Sequence, residues 1–426
     1  MILRLFRKLK SLGDEDQSSE TIIKKSNHHI SRDSISCAAL EVIDSLEGNG
    51  FKAFIVGGAV RDLLLGFTPK DFDIATDATP EEVKQVFHRA KIIGRRFRLV
   101  HLYFGRDIVE ISTFRAAVSQ ERSSSFIRDP KGRIIRDNVF GSQQEDALRR
   151  DFSVNALFYS PSKELVLDYC YGYRDLREGK LRIIGVPHIR FREDPVRILR
   201  AVRFSCQLNL KIDQSSLASM RIHKTLLLNV PRSRLFEETV KILFSGSSAK
   251  AFISKTVAPF IEVLIPEIKI IFRDETNKKF VLLAFTKTDE RVKNNKPNSP
   301  AFVFAAIFWP QILASWEENL KTGIKSFPAL MLAVEVFWEK RKRVRLEIPR
   351  RFEQDMTKIW IMQARFQKTQ GRLPHILMRS QKFRAGYDFM ALRAESGETE
   401  DDLVVWWARF QRVSQRERQE MTKSKR

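Results

Sequence analysis

A chain of 426 residues with 75 Lys+Arg against 52 Asp+Glu has a formal net charge of +23. That length allows two to four domains, and that charge points to a polyanionic partner, nucleic acid or an anionic membrane surface. Three scattered cysteines (Cys37, Cys170, Cys206) form neither a disulfide framework nor a zinc-ligand pattern, and no apolar run nears the roughly 20 residues of a membrane span, so a cytoplasmic protein is expected.

The N-terminal MILRLFRKLKSLG is basic and amphipathic but lacks an apolar core and a cleavage site. Residues 1–30 read as a polar leader, either frayed or resting on a membrane surface. Helical spacing runs from Ser34 to Glu47 and is closed by Gly48 and Gly50. FKAFIVGG then reads as a strand entering a glycine turn, AVRDLLLG as a helix stopped by Gly66, and KDFDIAT as a strand. In TPEEVKQVF, Thr79 is the expected N-cap and Pro80 the first helical residue. FRLVHLYFG and RDIVEISTF alternate as paired strands, and a polar loop covers Ser119–Asp137. After about Gly185 the pattern is helical, with REDPVRILRAVRFSCQL and SRLFEETVKILFSG the strongest helices. Arg291–Pro300 reads as an exposed linker, Lys340–Phe352 as a basic run, and residues 413–426 as a disordered basic tail.

Three constellations carry chemistry. Asp71 and Asp73 lie two apart in a strand and so share a face, while Phe72 and Ile74 turn to the core. Two like charges side by side call for a cation between them, and a hard divalent ion would bring triphosphate oxygens with it. Glu110, in the next sheet segment, stands where a third ligand or a base for an attacking hydroxyl would come from. Upstream, Gly57 and Gly58 mark a strand-to-helix turn whose bare N–H groups can hold phosphate; Arg61 either forks onto a phosphate or pairs with Asp62.

In EDALRRDFSVNAL, Asp151 follows Arg149 and Arg150 and should stay ionised, to hold a ribose hydroxyl or orient the nucleotide; a surface ion-pair cluster is the plainer reading. In RFREDPVRILRAVRF, Arg197, Arg200 and Arg203 recur on one helical face and repel each other unless an anion compensates. Asp194 and Arg197 offer an acceptor and donors to a base edge.

Together, GGAVRDLLLG, DFD, VEISTFR, RRDFSVNAL and EDPVRILRAVRF resemble the class II nucleotidyltransferases of the polymerase-β superfamily, which comprise CCA-adding tRNA nucleotidyltransferases and bacterial poly(A) polymerases. IIGRRFRLVHL and the approach to RRDF are similar to the poly(A) polymerase branch, and the likeness spans about Ile30 to Gln411. No HD dipeptide accompanies it, so the phosphohydrolase domain fused to some CCA-adding enzymes is not expected. The resemblance implies an α+β fold: a nucleotidyltransferase head with a mixed sheet (residues 31–184), a helical neck (185–265) and a helical, arginine-rich, RNA-binding body (266–412).

It also implies that Asp71 and Asp73 bind metal and that Asp151 counts with them as catalytic. Gly57, Gly58 and Arg61 would contact triphosphate, Arg150 and Asp151 the ribose, and Asp194 and Arg197 the base, with Arg200 and Arg203 beside them. The implied cofactor is Mg²⁺, with Mn²⁺ as a substitute; the implied substrates are ATP and RNA 3′ ends, and RNA-decay or RNA-chaperone proteins are candidate partners. Lys340, Arg341, Arg343, Arg345, Arg350 and Arg351 would hold RNA backbone, and Trp406, Trp407 and Phe410 serve either base stacking or helix core. The expected activity is template-independent addition of AMP; the alternatives are a CCA-adding enzyme and a non-catalytic RNA-binding protein.

Overall fold

The computed structural model describes residues 20–94, 98–105, 107–116, 127–128, 134–136, 139–342, 344 and 346–423. The chain divides into two compact units, one running to Arg197 and including Leu208–His223, the other comprising Ile198–Gln207 and everything from Lys224 onward.

The first unit is built on an eight-stranded sheet in the order β1-β10-β9-β2-β3-β6-β5-β4. Its strands are β1 (Thr21–Ile23), β2 (Ala53–Val56), β3 (Asp73–Thr76), β4 (Lys91–Ile93), β5 (Leu99–Phe104), β6 (Asp107–Thr113), β9 (Leu157–Ser160) and β10 (Leu165–Asp168); β7 (Ile127–Arg128) and β8 (Ile134–Arg136) pair apart from it. Only β3 and β6 run parallel; the other neighbours are antiparallel, so the sheet is mixed, as expected. Its helices are α1 (Cys37–Gly48), α2 (Gly58–Leu64), α3 (Pro80–Val86), α4 (Gln143–Arg149), α5 (Gly172–Arg177) and α6 (Pro187–Glu193). Ala39, Val42, Ile43 and Leu46 of α1 are buried, which removes the apolar stripe of that helix from water. Thr79 caps α3 as predicted, its hydroxyl and the Glu82 carboxylate closing a capping box.

Three expectations need correction here. Residues 20–30 are not leader: β1 pairs with β10, His28 and Ile30 are buried, and Lys25 bonds Glu164 at 2.7 Å. The leader proper, residues 1–19, lies outside the described residues. The strand of KDFDIAT starts only at Asp73. REDPVRILRAVRF is not one helix: α6 ends at Glu193, and α7 (Val196–Gln207) opens after Asp194–Pro195, because proline disfavours helical backbone in the residue before it.

α8 (Gln214–His223) completes the first unit. In the second follow α9 (Arg232–Leu243), α10 (Ser248–Ile253), α11 (Ala258–Ile261), α12 (Glu267–Ile271), α13 (Glu275–Lys293), α14 (Pro300–Lys321), α15 (Ser326–Arg341) and α16 (Arg350–Phe366). The last four are α17 (Leu373–Met378), α18 (Phe383–Ser396), α19 (Asp402–Arg412) and α20 (Gln415–Met421). The core of this unit is aromatic: Trp309, Trp360, Trp407, Phe304 and Phe308 are at most 1% exposed. Arg291–Lys293 end α13, so the expected linker shrinks to 294–299.

The supposed tail is also structured through residue 423. Ser414 and Glu417 cap α20, Arg418 donates to the carbonyls of Phe410 and Gln411, and buried Thr422 accepts from the Gly371 N–H. No helix among the described residues is long and apolar enough to cross a membrane.

Candidate active site

The carboxylates sit in the middle of the sheet. Asp71, just ahead of β3, and Asp73, its first residue, are exposed while Phe72 and Ile74 are buried, so the two acids share one face. In the parallel β3·β6 ladder Asp73 stands opposite Glu110, and in the β5·β6 ladder Glu110 stands opposite His101, whose Nε2 lies 3.4 Å from Glu110 Oε2. Opposite residues on neighbouring strands project on the same side, so Asp73, Glu110 and His101 form a row. Desolvation, then Glu110 and Asp71, raise the Asp73 pKa to about 6 against the pull of Arg150. Asp73 thus meets solvent but is flanked by protein and by other acids, an environment that a cation would relieve.

Among the described residues no three His, Cys, Asp or Glu side chains form a metal cage. Two carboxylates on one face still fit Mg²⁺, which is commonly held by one or two carboxylates plus substrate phosphate and water.

Beside the acids, β2 passes into α2 through Gly57, whose φ of +74° suits glycine. A Cβ there would also lie 3.3 Å from Arg150 Nη1, so glycine lets the turn and the RRDF segment approach closely. Arg61 is 6% exposed: its Nε and Nη2 bond Asp62 Oδ1 at 2.8 and 2.7 Å, and its Nη1 donates to Asn155 Oδ1 at 2.6 Å. Arg61 thus pairs with Asp62, one of its two expected partners, and Asn155 is an unforeseen further partner. Asn155 Nδ2 in turn donates to Asp151 Oδ1 at 3.2 Å, which links the glycine helix to the RRDF segment.

Arg150 bonds Asp146 through Nε and Nη2 (3.2 and 2.9 Å), Arg149 bonds the same carboxylate at 2.8 Å, and Arg150 also lies over the Phe158 ring. Burial alone would raise the Asp146 pKa, but Arg150 and Arg149 outweigh it and hold the acid below its ordinary range. Below this segment Ser153 Oγ and Arg182 bond Asp175, and Gly172 packs so tightly that a Cβ would come 2.1 Å from Ser153 O. These contacts pack the residues that follow RRDF against Asp175 and Gly172.

Arg190 was not foreseen. Its Nη2 donates to the carbonyls of Arg149 (2.7 Å) and Arg150 (2.6 Å), and its Nη1 bonds Glu193 at 3.0 Å. Glu193 also meets Arg197 Nη1 at 3.3 Å, and that nitrogen donates to Arg190 O at 2.8 Å. Burial, then repulsion from Arg197, lowers the Arg190 pKa to about 10 despite Glu193. It stays charged and ties the RRDF segment to the segment bearing Asp194 and Arg197. Asp194 itself accepts from the Val196 N–H at 3.3 Å at the mouth of α7.

Gly57, Gly58, Arg61, Asp71, Asp73, Glu110, Arg150, Asp151, Asp194 and Arg197 all lie in the first unit, whereas Arg200 and Arg203 belong to the second. There both guanidinium groups lie over Phe204, and Arg203 Nε is 3.8 Å from Glu238. The basic run is split as well. Lys340, Arg350 and Arg351 are exposed, and Arg343 and Arg345 lie outside the described residues. Arg341 does not have the position expected of an RNA contact: it is 9% exposed, bonds Glu267 and Leu346 O (2.9 Å each) and covers the Phe308 ring. Trp407 and Phe410 are fully buried, which makes them core; Trp406 is half-buried against Phe410.

Family models match three stretches: "Poly A polymerase head domain" at residues 53–182, "Probable RNA and SrmB- binding site of polymerase A" at 209–271, and "Polymerase A arginine-rich C-terminus" at 322–426. Poly(A) polymerase I of Haemophilus influenzae is 40% identical over 411 residues, covering 94% of this chain and 90% of the relative. That of Escherichia coli O6:H1 is 40% identical over 401 residues, covering 92% and 86%. A CCA-adding enzyme of Enterococcus faecalis is 36% identical but over 224 residues only, 53% of this chain and 52% of the relative. Among solved structures, a Bacillus stearothermophilus CCA-adding enzyme in complex with CTP shares the fold at TM-score 0.52 and 24% identity, over 87% of this chain and 80% of that one. A structure described as a tRNA-processing enzyme does so at 0.57 and 20%, over 91% and 97%. Since the likeness to the poly(A) polymerases runs through head and helical body alike, while the CCA-adding relative matches about half the chain, this protein belongs to the bacterial poly(A) polymerases of the tRNA nucleotidyltransferase family and is a nucleotidyltransferase.

Proposed function

We propose that the protein adds AMP from ATP to RNA 3′ ends without a template, through Asp71, Asp73 and Asp151. The observation that carries this reading is the Asp71–Asp73–Glu110 group at the centre of the sheet, with Arg150 close enough to pull the Asp73 pKa down. Asp71 and Asp73 would hold Mg²⁺ or Mn²⁺. When bound, the metal supplies charge stabilisation at the α-phosphate and the leaving pyrophosphate. The RNA 3′-hydroxyl attacks the α-phosphorus, the α–β bridging bond breaks, and pyrophosphate departs; Glu110 accepts the hydroxyl proton. With no covalent intermediate, catalysis is positioning plus electrostatics. Arg61–Asn155–Asp151 and Arg190–Glu193–Arg197 supply the positioning.

Gly57 and Gly58 face the triphosphate, Arg150 and Asp151 the ribose, and Asp194 and Arg197 the base; Arg200 and Arg203 are further candidate nucleotide contacts. Lys340, Arg350 and Arg351 contact RNA backbone. The match of residues 209–271 to the "Probable RNA and SrmB- binding site of polymerase A" supports RNA as the partner, with RNA-decay or RNA-chaperone proteins as candidate further partners. A cytoplasmic location fits this chemistry. The test supplies purified protein with a generic RNA, Mg²⁺, and either ATP or CTP. Long ATP-only tails are expected. Incorporation of CTP would assign the chain to CCA addition, and tight RNA binding with no product would make it a binding protein.

A further inference from the structure

The second unit holds a cavity of about 240 Å³ between the start of α9, the end of α15 and the start of α16. At that size, below the 300–1,000 Å³ typical of drug-sized ligand sites, it suits one nucleobase and not a length of strand. Its wall combines Trp338 with Leu346 and Ile348; its charged groups are Arg232, Arg341, Lys342, Glu347 and Glu353. The Trp338 indole N–H is already given to Thr357 Oγ1 at 2.9 Å, so this residue offers the cavity ring surface and no donor. Trp338 is in turn backed by Trp360 and Phe337, with ring centroids 5.7 and 5.0 Å away, which fixes its plane. Buried Arg341 beneath is held by Glu267 and Leu346 O.

Glu353 is the group that this packing leaves over. Among the described residues no group donates a hydrogen bond to its carboxylate, and burial, followed by Glu347, raises its pKa against Arg350 and Arg341. A half-buried acceptor beside an aromatic wall matches a base that brings its own N–H donors. The exposed cations Lys342, Arg350 and Arg351 stand nearby in sequence for the adjoining phosphates, and Arg232, on the rim, is paired with Glu347 at 3.0 Å.

We infer that this cavity is a base-reading subsite for the growing RNA tail, taking one adenine against Trp338 with its exocyclic amino group donated to Glu353. Adenine offers N6–H₂ on its pairing edge; uracil offers a single N–H between two carbonyls that a carboxylate repels. The subsite therefore favours the strand that the enzyme makes, and it rests on the adenylyl-transfer reading only in that choice of base.

The test is fluorescence anisotropy with oligo(A) and oligo(U) of equal length, without ATP. The wild-type chain should prefer oligo(A) by about tenfold, the scale of one stacked and hydrogen-bonded base. Glu353→Met should abolish that preference and leave oligo(U) binding unchanged. Trp338→Phe, checked by thermal melting, should weaken oligo(A) binding alone. Absence of a preference in the wild type, or equal losses on both RNAs, would overturn the subsite. Photo-cross-linking of an azidoadenosine oligonucleotide should label the peptide spanning Trp338–Glu353; labelling only elsewhere would also overturn it. ATP incorporation by the wild type is scored separately. Incorporation without oligo(A) preference defeats the subsite alone, and preference without incorporation defeats the enzymatic reading alone.

Discussion

The two units use arginine in opposite ways. In the first, buried or half-buried guanidinium groups reach backbone and side chains of the candidate site: Arg61 fixes Asn155, Arg150 engages Asp146, and Arg190 clamps the carbonyls of Arg149 and Arg150. In the second, several buried guanidinium groups are packing elements. Arg341 lies between Glu267 and the Phe308 ring, and Arg393 between Glu398, Gln363 and the Trp309 ring. A high arginine content there does not translate into an equal number of RNA contacts. Those that can meet a polyanion are the exposed ones, such as Arg350 and Arg351.

The largest expected effect tests the first unit. Asp73→Ala or Asp71→Ala should lower AMP incorporation by at least about a thousandfold, the scale of a lost charge-stabilising group, with RNA binding by anisotropy kept. Residual activity within about tenfold of wild type would remove the metal assignment. The next effect separates the two kinds of arginine. Arg341→Met breaks a buried pair and should cost about 3–5 kcal/mol of stability in denaturant melts, with the salt slope of RNA binding unchanged. Arg350→Glu with Arg351→Glu should do the reverse, raising the Kd for RNA and flattening its salt dependence with little change in melting. If both variants behave alike, the contrast between packing and binding arginines fails.

The smallest effect is a pH dependence. With its pKa raised to about 6 from 3.8, Asp73 stabilises the fold most fully below its unfolded value, and that contribution is lost as pH rises through 6. The metal-free wild type should therefore lose melting temperature relative to Asp73→Asn between about pH 4 and pH 7. Activity has the opposite sign, since metal binding needs the ionised acid. It should fall below about pH 6, and raising Mg²⁺ should move the midpoint lower. A midpoint indifferent to Mg²⁺ would uncouple Asp73 from the metal.

Features governed by neighbours in the chain could be read in advance. Residues two apart in extended backbone share a face, which placed Asp71 with Asp73, and a threonine three residues before a glutamate is a local cap, which placed α3. Glu110 was located by strand alternation, and the parallel β3·β6 register then set it opposite Asp73. Asn155 as the partner of Arg61 lies 94 residues away, and the carbonyls held by Arg190 lie 41 and 40 away; no local period encodes such pairs. The tail was misread for the same reason. Its composition is polar and basic, yet Thr422 finds a partner in Gly371 and Arg418 in the end of α19.

The sequence by itself determined the acidic pair and the glycine turn, because periodicity, capping and spacing are local properties of the chain, and its resemblance to a known family carried the α+β class. Only the tertiary structure decided which charges are spent inside. Whether an arginine binds RNA or fills a core depends on whether a carboxylate and an aromatic ring far along the chain fold against it, as Glu267 and Phe308 do against Arg341. That choice follows from desolvation, which depends on surroundings that residue identity does not encode.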